Sequence, residues 1–421
     1  TLFRSDEGTG VSFDSLWASL RDVGRDARSG GYRRFAWTTV DLTLREWFTG
    51  EAQGRGLSVE EDRNGNLWAW WLPPGHEGDP RSAFVTGSHL DSVPDGGPFD
   101  GPLGIVSAFT AIDLLRTDGV TPRVPVGVVA FSDEEGARFG VACIGSQLST
   151  GAMQPDRALN LTDGEGTTLA DALRKTGRRP EHLGADPDLA ERVGVYVELH
   201  VEQGRALDLM NRPVAVASAI WPHGRWQFTF CGAANHAGTT RLADRRDPML
   251  TFATAVHDAR TRAASHGAVA TFGKMRVTPN GANAIPSRIE AWLDARAADE
   301  QTLAALVDDI TADAAARAHL DRTSVVAEAE SLSPAVLFPD GPRQRIRQAL
   351  GAEFGPEFDD VPVLPTAAGH DAGVLSTAVP TAMLFVRNPT GISHSPDEYA
   401  EIADCHQGAR ALAAVMKDWV T

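Results

Sequence analysis

One histidine, two aspartates and a run of glycines crowd a single stretch of the chain, Gly87-Ser-His-Leu-Asp-Ser-Val-Pro-Asp-Gly-Gly-Pro-Phe-Asp-Gly-Pro-Leu-Gly104. Imidazole and carboxylate donors this close together, at His89, Asp91 and Asp100, suit a borderline divalent ion such as zinc. The glycines let the loop turn sharply and bring its backbone near a ligand. A second stretch, Val128-Val-Ala-Phe-Ser-Asp-Glu-Glu-Gly-Ala-Arg-Phe139, ends an apolar run in three acids, Asp133, Glu134 and Glu135. Clustered carboxylates repel one another unless cations neutralise them. A metal pair would do so and leave one carboxylate free as a base. Val197-Glu-Leu-His-Val-Glu-Gln-Gly204 and Asn388-Pro-Thr-Gly-Ile-Ser-His-Ser-Pro-Asp-Glu398 add His200 and His394. A surface turn would explain the first stretch alone, and a solvated acidic loop the second. Histidines 89, 200 and 394, each at the end of an apolar run, favour one shared site over either.

The elements that must position these groups follow from hydrophobic patterning. Segments 83–87, 124–131, 193–199 and 381–386 read as buried strands, and 105–115 as a helix between the first two. This alternation is the βαβ signature of a mostly parallel sheet. Such sheets place ligands at the carboxyl ends of their strands. Ahead of it, 11–24 and 35–49 read as helices, and 57–60 and 67–72 as strands around the turn Arg63-Asn-Gly-Asn66. The tryptophans of the second strand are assigned to packing. Segment 156–189 is polar, with short surface helices. From Val214 the pattern changes. Strands at 225–230, 269–272, 274–277, 289–293 and 324–329 and helices at 248–262 and 302–319 give the split βαβ, ferredoxin-like order. After Ser331 the α/β pattern resumes, with helices at 343–350 and 403–420. The expected fold is an α/β domain over 1–213 and 332–421, interrupted by an α+β domain over 214–331.

The 421 residues suffice for two cores, and 42% hydrophobic with 23% charged residues is ordinary globular composition. A net charge of −17 argues against nucleic acid and anionic membrane as partners. No apolar run reaches the length of a membrane span. The opening Thr1-Leu-Phe-Arg-Ser-Asp-Glu7 has no secretion-signal character. The three cysteines form no C-x-x-C pair. Together these features suggest a cytoplasmic protein.

The motifs resemble those of the hydantoinase/carbamoylase group of dinuclear metal amidohydrolases, which includes allantoate and N-carbamoyl-L-amino acid hydrolases, within a wider clan of dinuclear metallopeptidases. The resemblance is carried by the stretches above and by Asn235-His-Ala-Gly-Thr-Thr240, Gly369-His-Asp-Ala372 and Ser393-His-Ser-Pro396, and spans about residues 10–415. It implies a metallopeptidase-like catalytic domain and a lid or dimerisation domain. It implies two divalent ions per subunit, zinc, manganese or cobalt, bridged by Asp100. Glu135 and His394 would complete one site, His89 and His200 the other. Glu134 would be the general base and proton shuttle, and Asp91 would accept the second imidazole N–H of His89. His236 would reach the partner subunit's active site in a homodimer and stabilise the oxyanion. Asn283 and Arg296 match binders of the substrate carboxylate; Gln203 and His370 would also meet the substrate. Arg225 stands where allantoate hydrolases carry a substrate-binding arginine. An ordinary strand-start cation remains the alternative for Arg225, and a turn histidine for His236. Ser92 departs from a frequent threonine but keeps the hydroxyl.

The resulting expectation is hydrolysis of the carbamoyl C–N bond of allantoate. N-carbamoyl-L-amino acids are the alternative, then N-formyl or N-acyl acidic amino acids. A peptidase, an aminoacylase or a non-catalytic binding protein on the same scaffold is disfavoured.

Overall fold

The computed structural model describes residues 12–75, 80–355, 358 and 360–421. The opening stretch 1–7 and Val11, read above as leaderless and as a helix start, lie outside the described residues. In chain order the strands are β1 Ser58–Glu61, β2 Leu67–Trp71, β3 Ala83–His89, β4 Val126–Phe131, β5 Val193–Val201 and β6 Val214–Ile220. They continue as β7 His223–Cys231, β8 Asn235–His236, β9 Val269–Thr278, β10 Ala284–Ile285, β11 Arg288–Arg296, β12 Ser324–Ser333, β13 Val336–Leu337, β14 Val363–Thr366 and β15 Thr381–Val386. The chain divides into two compact units, one running to Ser218 and resuming at Phe338, the other Ala219–Leu337.

The first unit is built on a sheet ordered β1-β2-β4-β3-β5-β15-β6, with β14 beside β6. Its centre is parallel: β3 pairs with β4 and β5, and β15 with β5. Every residue of β3, β4 and β15 is buried, as expected of strands covered on both faces. Helix Pro102–Thr117 packs against the C-terminal helix Ile402–Val420. The latter buries Cys405, Ala409, Leu412 and Met416, one helical stripe. Trp68 and Trp70 stack on each other beneath the Arg192 guanidinium, so the aromatic cluster is packing.

Two helices differ from the sequence reading at their ends. The helix expected over 11–24 is Phe13–Leu20, capped by Ser12. Arg34 ends it by donating to the carbonyls of Leu20 and Val23. The helix expected over 35–49 is Thr39–Gly54. Trp37, at φ +61°, stands in the left-handed region, and its N–H bonds Asp41. Thr38 caps the helix start, so the preceding residues cannot join. Strand β14 was not foreseen; Pro362 before it and Pro365 within it hide it.

The second unit is a four-stranded antiparallel sheet ordered β12-β7-β11-β9, with helices Pro248–His266 and Glu300–Asp321. Each helix starts on an aspartate cap, Asp247 and Asp299. Phe228, Phe230, Ile289, Ala291, Leu293 and Ala295 point into the core. The alternate positions Trp292, Asp294 and Arg296 lie on the other face. Beside the sheet, β8 and β10 form a short ribbon.

Candidate metal centre

Strand β3 delivers His89 at its carboxyl end, and β5, hydrogen-bonded alongside, delivers His200. Both rings are buried. His89 Nδ1 lies 3.1 Å from the Asp91 carbonyl oxygen, and His200 Nδ1 lies 2.9 Å from that of Val201. A carbonyl only accepts, so each Nδ1 carries a proton, and Nε2 is the atom through which either ring, once neutral, could ligate an ion. Neither Nε2 has a hydrogen-bond partner. Both point at one oxygen of Asp100: His89 Nε2 is 3.4 Å and His200 Nε2 3.1 Å from Oδ1. The other oxygen, Oδ2, is 3.5 Å from His394 Nε2, which lies 3.6 Å from Glu135 Oε2. Asp100 therefore faces two donor groups at once, His89 with His200 and Glu135 with His394. These donors fit two oxygen- and nitrogen-preferring divalent ions sharing a carboxylate. A third buried group, Glu198, His200 and His370, shares His200.

The loop bearing Asp100 is tailored to this arrangement. Gly101 has φ +86°, and a Cβ there would stand 2.5 Å from the His89 ring. Only glycine allows helix Pro102–Thr117 to begin so close to the imidazole. Glu398 Oε1 accepts the N–H of Phe99 at 2.7 Å and of Asp100 at 3.0 Å. Glu398 had no role in the sequence reading, although it closes the His394 motif. The Ser92 hydroxyl accepts the Arg34 N–H at 3.0 Å.

Asp91 meets both His89 and the acidic loop. Its backbone carbonyl, not its carboxylate, is nearest His89 Nδ1; the carboxylate is 3.6 Å away. The carboxylate instead accepts the N–H of Glu134 at 3.1 Å and of Glu135 at 3.0 Å. Two converging amides hold a carboxylate more firmly than one imidazole, so Asp91 orients the acidic loop. Within that loop Glu134 and Glu135 reach the cluster. Asp133, at φ +54°, is buried with neither oxygen hydrogen-bonded. Burial and the nearby carboxylates of Asp91 and Asp41 push its proton affinity well up.

Glu134 Oε2 lies 3.7 Å from His89 Nε2, while its Oε1 accepts from the Cys143 thiol at 3.3 Å. Burial, then Asp371, Glu135 and Asp91, raise Glu134 well above the usual carboxylate range, against the pull of His89. Burial and Asp100 raise Glu135 to about 7. Burial opposes a charged His89, but Glu134, Asp100 and Asp91 outweigh it and hold the ring well above its ordinary value. His394 is half exposed, and its hydrogen bond to Asp100 raises it to about 9. Gln203 donates to Asp100 Oδ2 at 2.7 Å and lies 3.4 Å from His394 Nε2. His370 packs edge-on to His200, ring centres 4.5 Å apart. Burial and then His200 hold it well below its usual value, so it stays neutral. Behind the cluster, Glu198 accepts from the Ser88 hydroxyl and the Ala372 N–H, and Asp371 accepts from the Ser146 hydroxyl. The sequence reading missed these anchors because each bond joins residues far apart in the chain.

Four other expected site residues belong to the second unit. His236 pairs with Ala284 across the ribbon, and the Asn283 carbonyl accepts the Ala237 N–H. His236 Nδ1 accepts the N–H of Gly238 at 3.0 Å and of Thr239 at 3.3 Å. A neutral His236 thus carries its proton on Nε2, at an exposed ring. Arg225 faces Asp294 across β7 and β11, 3.8 Å from guanidinium to carboxylate. Arg296 grips the same Asp294 through Nε at 2.8 Å and Nη2 at 3.2 Å.

Residues 85–418 match the family model described as Peptidase family M20/M25/M40. The chain is 35% identical to N-carbamoyl-L-amino acid amidohydrolase of Geobacillus stearothermophilus, over 96% of this chain and 97% of that one. It is 31% identical to allantoate amidohydrolase of Escherichia coli K12, over 94% and 95%. Among solved structures, a hydantoinase/carbamoylase family amidase from Burkholderia multivorans matches with a TM-score of 0.82 at 29% identity, covering 96% of this chain and 97% of that one. Sequence, fold and donor geometry agree: the chain belongs to peptidase family M20/M25/M40, in its hydantoinase/carbamoylase group of amidases.

Proposed function

We propose that this protein is a metal-dependent amidohydrolase that cleaves the carbamoyl C–N bond of allantoate or of a related N-carbamoyl-L-amino acid. The carrying observation is Asp100, whose two oxygens each face a separate set of nitrogen and oxygen donors. His89, His200 and Asp100 would hold one divalent ion, and Asp100, Glu135 and His394 a second. Such ions supply Lewis acidity, lowering the pKa of a water and polarising the scissile carbonyl. Zinc, manganese and cobalt all suit this donor set.

Glu134 is the base of this reading. Its buried carboxylate has a raised proton affinity, and the Cys143 bond to Oε1 turns Oε2 toward the donors. It can take a proton from water and give it to the leaving nitrogen. Asp91 fixes the Glu134 backbone. Gln203 and the neutral His370 border the donors and would bond the ureido group. In the second unit, Arg296 and Asn283 would bind the substrate carboxylate, and Arg225 a second polar arm. The Nε2–H of His236 would donate to the developing oxyanion. The reading includes a homodimer in which this histidine serves the partner subunit's site. The three unbridged thiols favour a cytoplasmic setting. No described helix is long and apolar enough to cross a membrane.

Allantoate stands first because Arg225 and Arg296 flank one aspartate and together offer two guanidiniums to a substrate with two polar ends. N-carbamoyl-L-amino acids stand second, since a relative at 35% identity carries that name. The deciding experiment is a hydrolysis screen of allantoate and of carbamoyl, formyl and acetyl amino acids, with each metal added back. Turnover of acetyl derivatives alone would sink the carbamoyl reading.

A further inference from the structure

A separate cluster of charge in the catalytic unit takes no part in this chemistry. Arg21, Arg25 and Arg34 line a cavity of about 210 Å³, together with Trp17 and Tyr32. Among the described residues lining it there is no carboxylate. In a chain of net charge −17, three guanidiniums around one hollow without an acid among them form a local anion trap.

Arg34 is the fixed member. It is 2% exposed, its Nε bonds the Val23 carbonyl at 2.9 Å, and its Nη2 bonds that of Leu20 at 2.8 Å. The guanidinium lies over the Tyr32 ring at 4.1 Å. Among the described residues, Nη1 has no hydrogen-bond partner, so a locked cation keeps a spare donor. Burial lowers this group to about 10, which leaves it charged at neutral pH. Arg25 uses only Nε, on the Gly30 carbonyl at 3.0 Å. Arg21 makes no ion pair among the described residues. Arginine forks match oxyanions in pairs of hydrogen bonds. The volume is below the roughly 300 Å³ at which pockets for drug-sized ligands begin, so the ligand is small.

We propose that this cavity is a binding site for a small multivalent oxyanion, inorganic phosphate or a short dicarboxylate. Its walls reach the metal loops. Pro98 and Pro396 line it, two residues before Asp100 and two after His394. Trp17 stacks on Phe99 with ring centroids 4.8 Å apart, and Tyr32 exchanges backbone hydrogen bonds with Gly96 at 2.9 and 3.2 Å. A bound anion would therefore brace both loops. The binding itself stands independently of the proposed reaction; only its effect on turnover rests on that reading.

The test is calorimetric titration of the metal-loaded protein with inorganic phosphate and, separately, malonate, at ionic strength matched with chloride. Wild type is compared with the Arg21→Gln, Arg25→Gln double variant, whose changes are at exposed positions. Anion bound at the metal centre contributes equally in both proteins and cancels. The expected result is a saturable site for one of the two anions, weakened roughly tenfold or more in the variant, as for loss of charged hydrogen bonds. Turnover without added anion should be unchanged. Whichever anion saturates the site identifies the source. Identical isotherms in the two proteins, or no saturable binding by either anion, overturn the proposal.

Discussion

The two units hold their candidate site residues in opposite ways. In the catalytic unit His89, Asp91, Asp100, Glu134 and His200 are buried, and hydrogen bonds from the surrounding frame orient them. In the inserted unit His236 and Arg225 are exposed, on a two-residue ribbon and on the open face of a sheet. The first group is preorganised before any ligand arrives; the second can adapt to what it meets. Damage to the first should therefore cost every substrate alike, whereas in the second unit loss of Arg225 should cost some substrates more than others.

Ion removal is the harshest test of the first half of that comparison. Chelated protein should lose hydrolysis of every substrate, and zinc, manganese or cobalt should restore it; elemental analysis should find up to two ions per chain. Full turnover in metal-free protein would break the comparison at its base. Next in size is Glu134→Gln, which should retain ions and substrate affinity while turnover falls on the order of a thousandfold. Near-normal rates would put the base elsewhere.

For the inserted unit, His236→Ala should also be nearly inactive, but through another protomer. Mixing it with Glu134→Gln under subunit exchange should recover activity, since one composite site then has both groups intact. Proven heterodimers without recovery would detach His236 from the partner's chemistry. Arg225→Leu should lower kcat/KM for allantoate by roughly tenfold to several hundredfold, the range for one charged hydrogen bond. N-carbamoyl derivatives of apolar amino acids should be almost unaffected. Arg296→Ala should impair both, because the carboxylate it would grip is common to them. An unchanged substrate ratio in Arg225→Leu would make that residue an ordinary strand cation.

The smallest effect concerns pH. In metal-free protein, burial and Asp100 raise Glu135 from 4.5 to about 7, and the bond to Asp100 raises His394 from 6.5 to about 9. Both groups bind protons more tightly folded than unfolded. Their contribution to stability is complete below the unfolded values and is lost as pH rises through about 7 and about 9. The Tm of metal-free protein should accordingly fall across this window. Ion binding displaces these protons, so the Tm gain from metal should widen as pH rises. A constant gain would show that neither group ligates.

The candidate donors legible in the sequence are those at the ends of neighbouring strands of one sheet. His89, His200 and Glu134 with Glu135 each follow an apolar run, and the run places them at one sheet edge. What escaped were partners joined only by folding. Glu398 reaches back to the amides of Phe99 and Asp100, and Asp371 meets Ser146 behind the donors. No local pattern marks such bonds. Asp91 shows the intermediate case: its neighbourhood followed from spacing, but which of its atoms meets His89 depends on where the acidic loop comes to rest. Strand β14, only four residues long with Pro365 inside it, likewise gave no alternating signal.

The place of β15 governs the order in which this molecule can be made. That strand is inserted between β5 and β6, parallel to one and antiparallel to the other. While the chain emerges from the ribosome, β5 and β6 must wait with facing edges unpaired until the whole inserted unit has been synthesised. The inserted unit is contiguous in sequence and can complete its own sheet first. Joining β15 to its neighbours then closes a very long loop, a slow step for any chain. His394, which follows β15, arrives last of all. A nascent chain that has not yet made β15 thus carries His89, Asp100 and His200 on an open-edged sheet and still lacks His394.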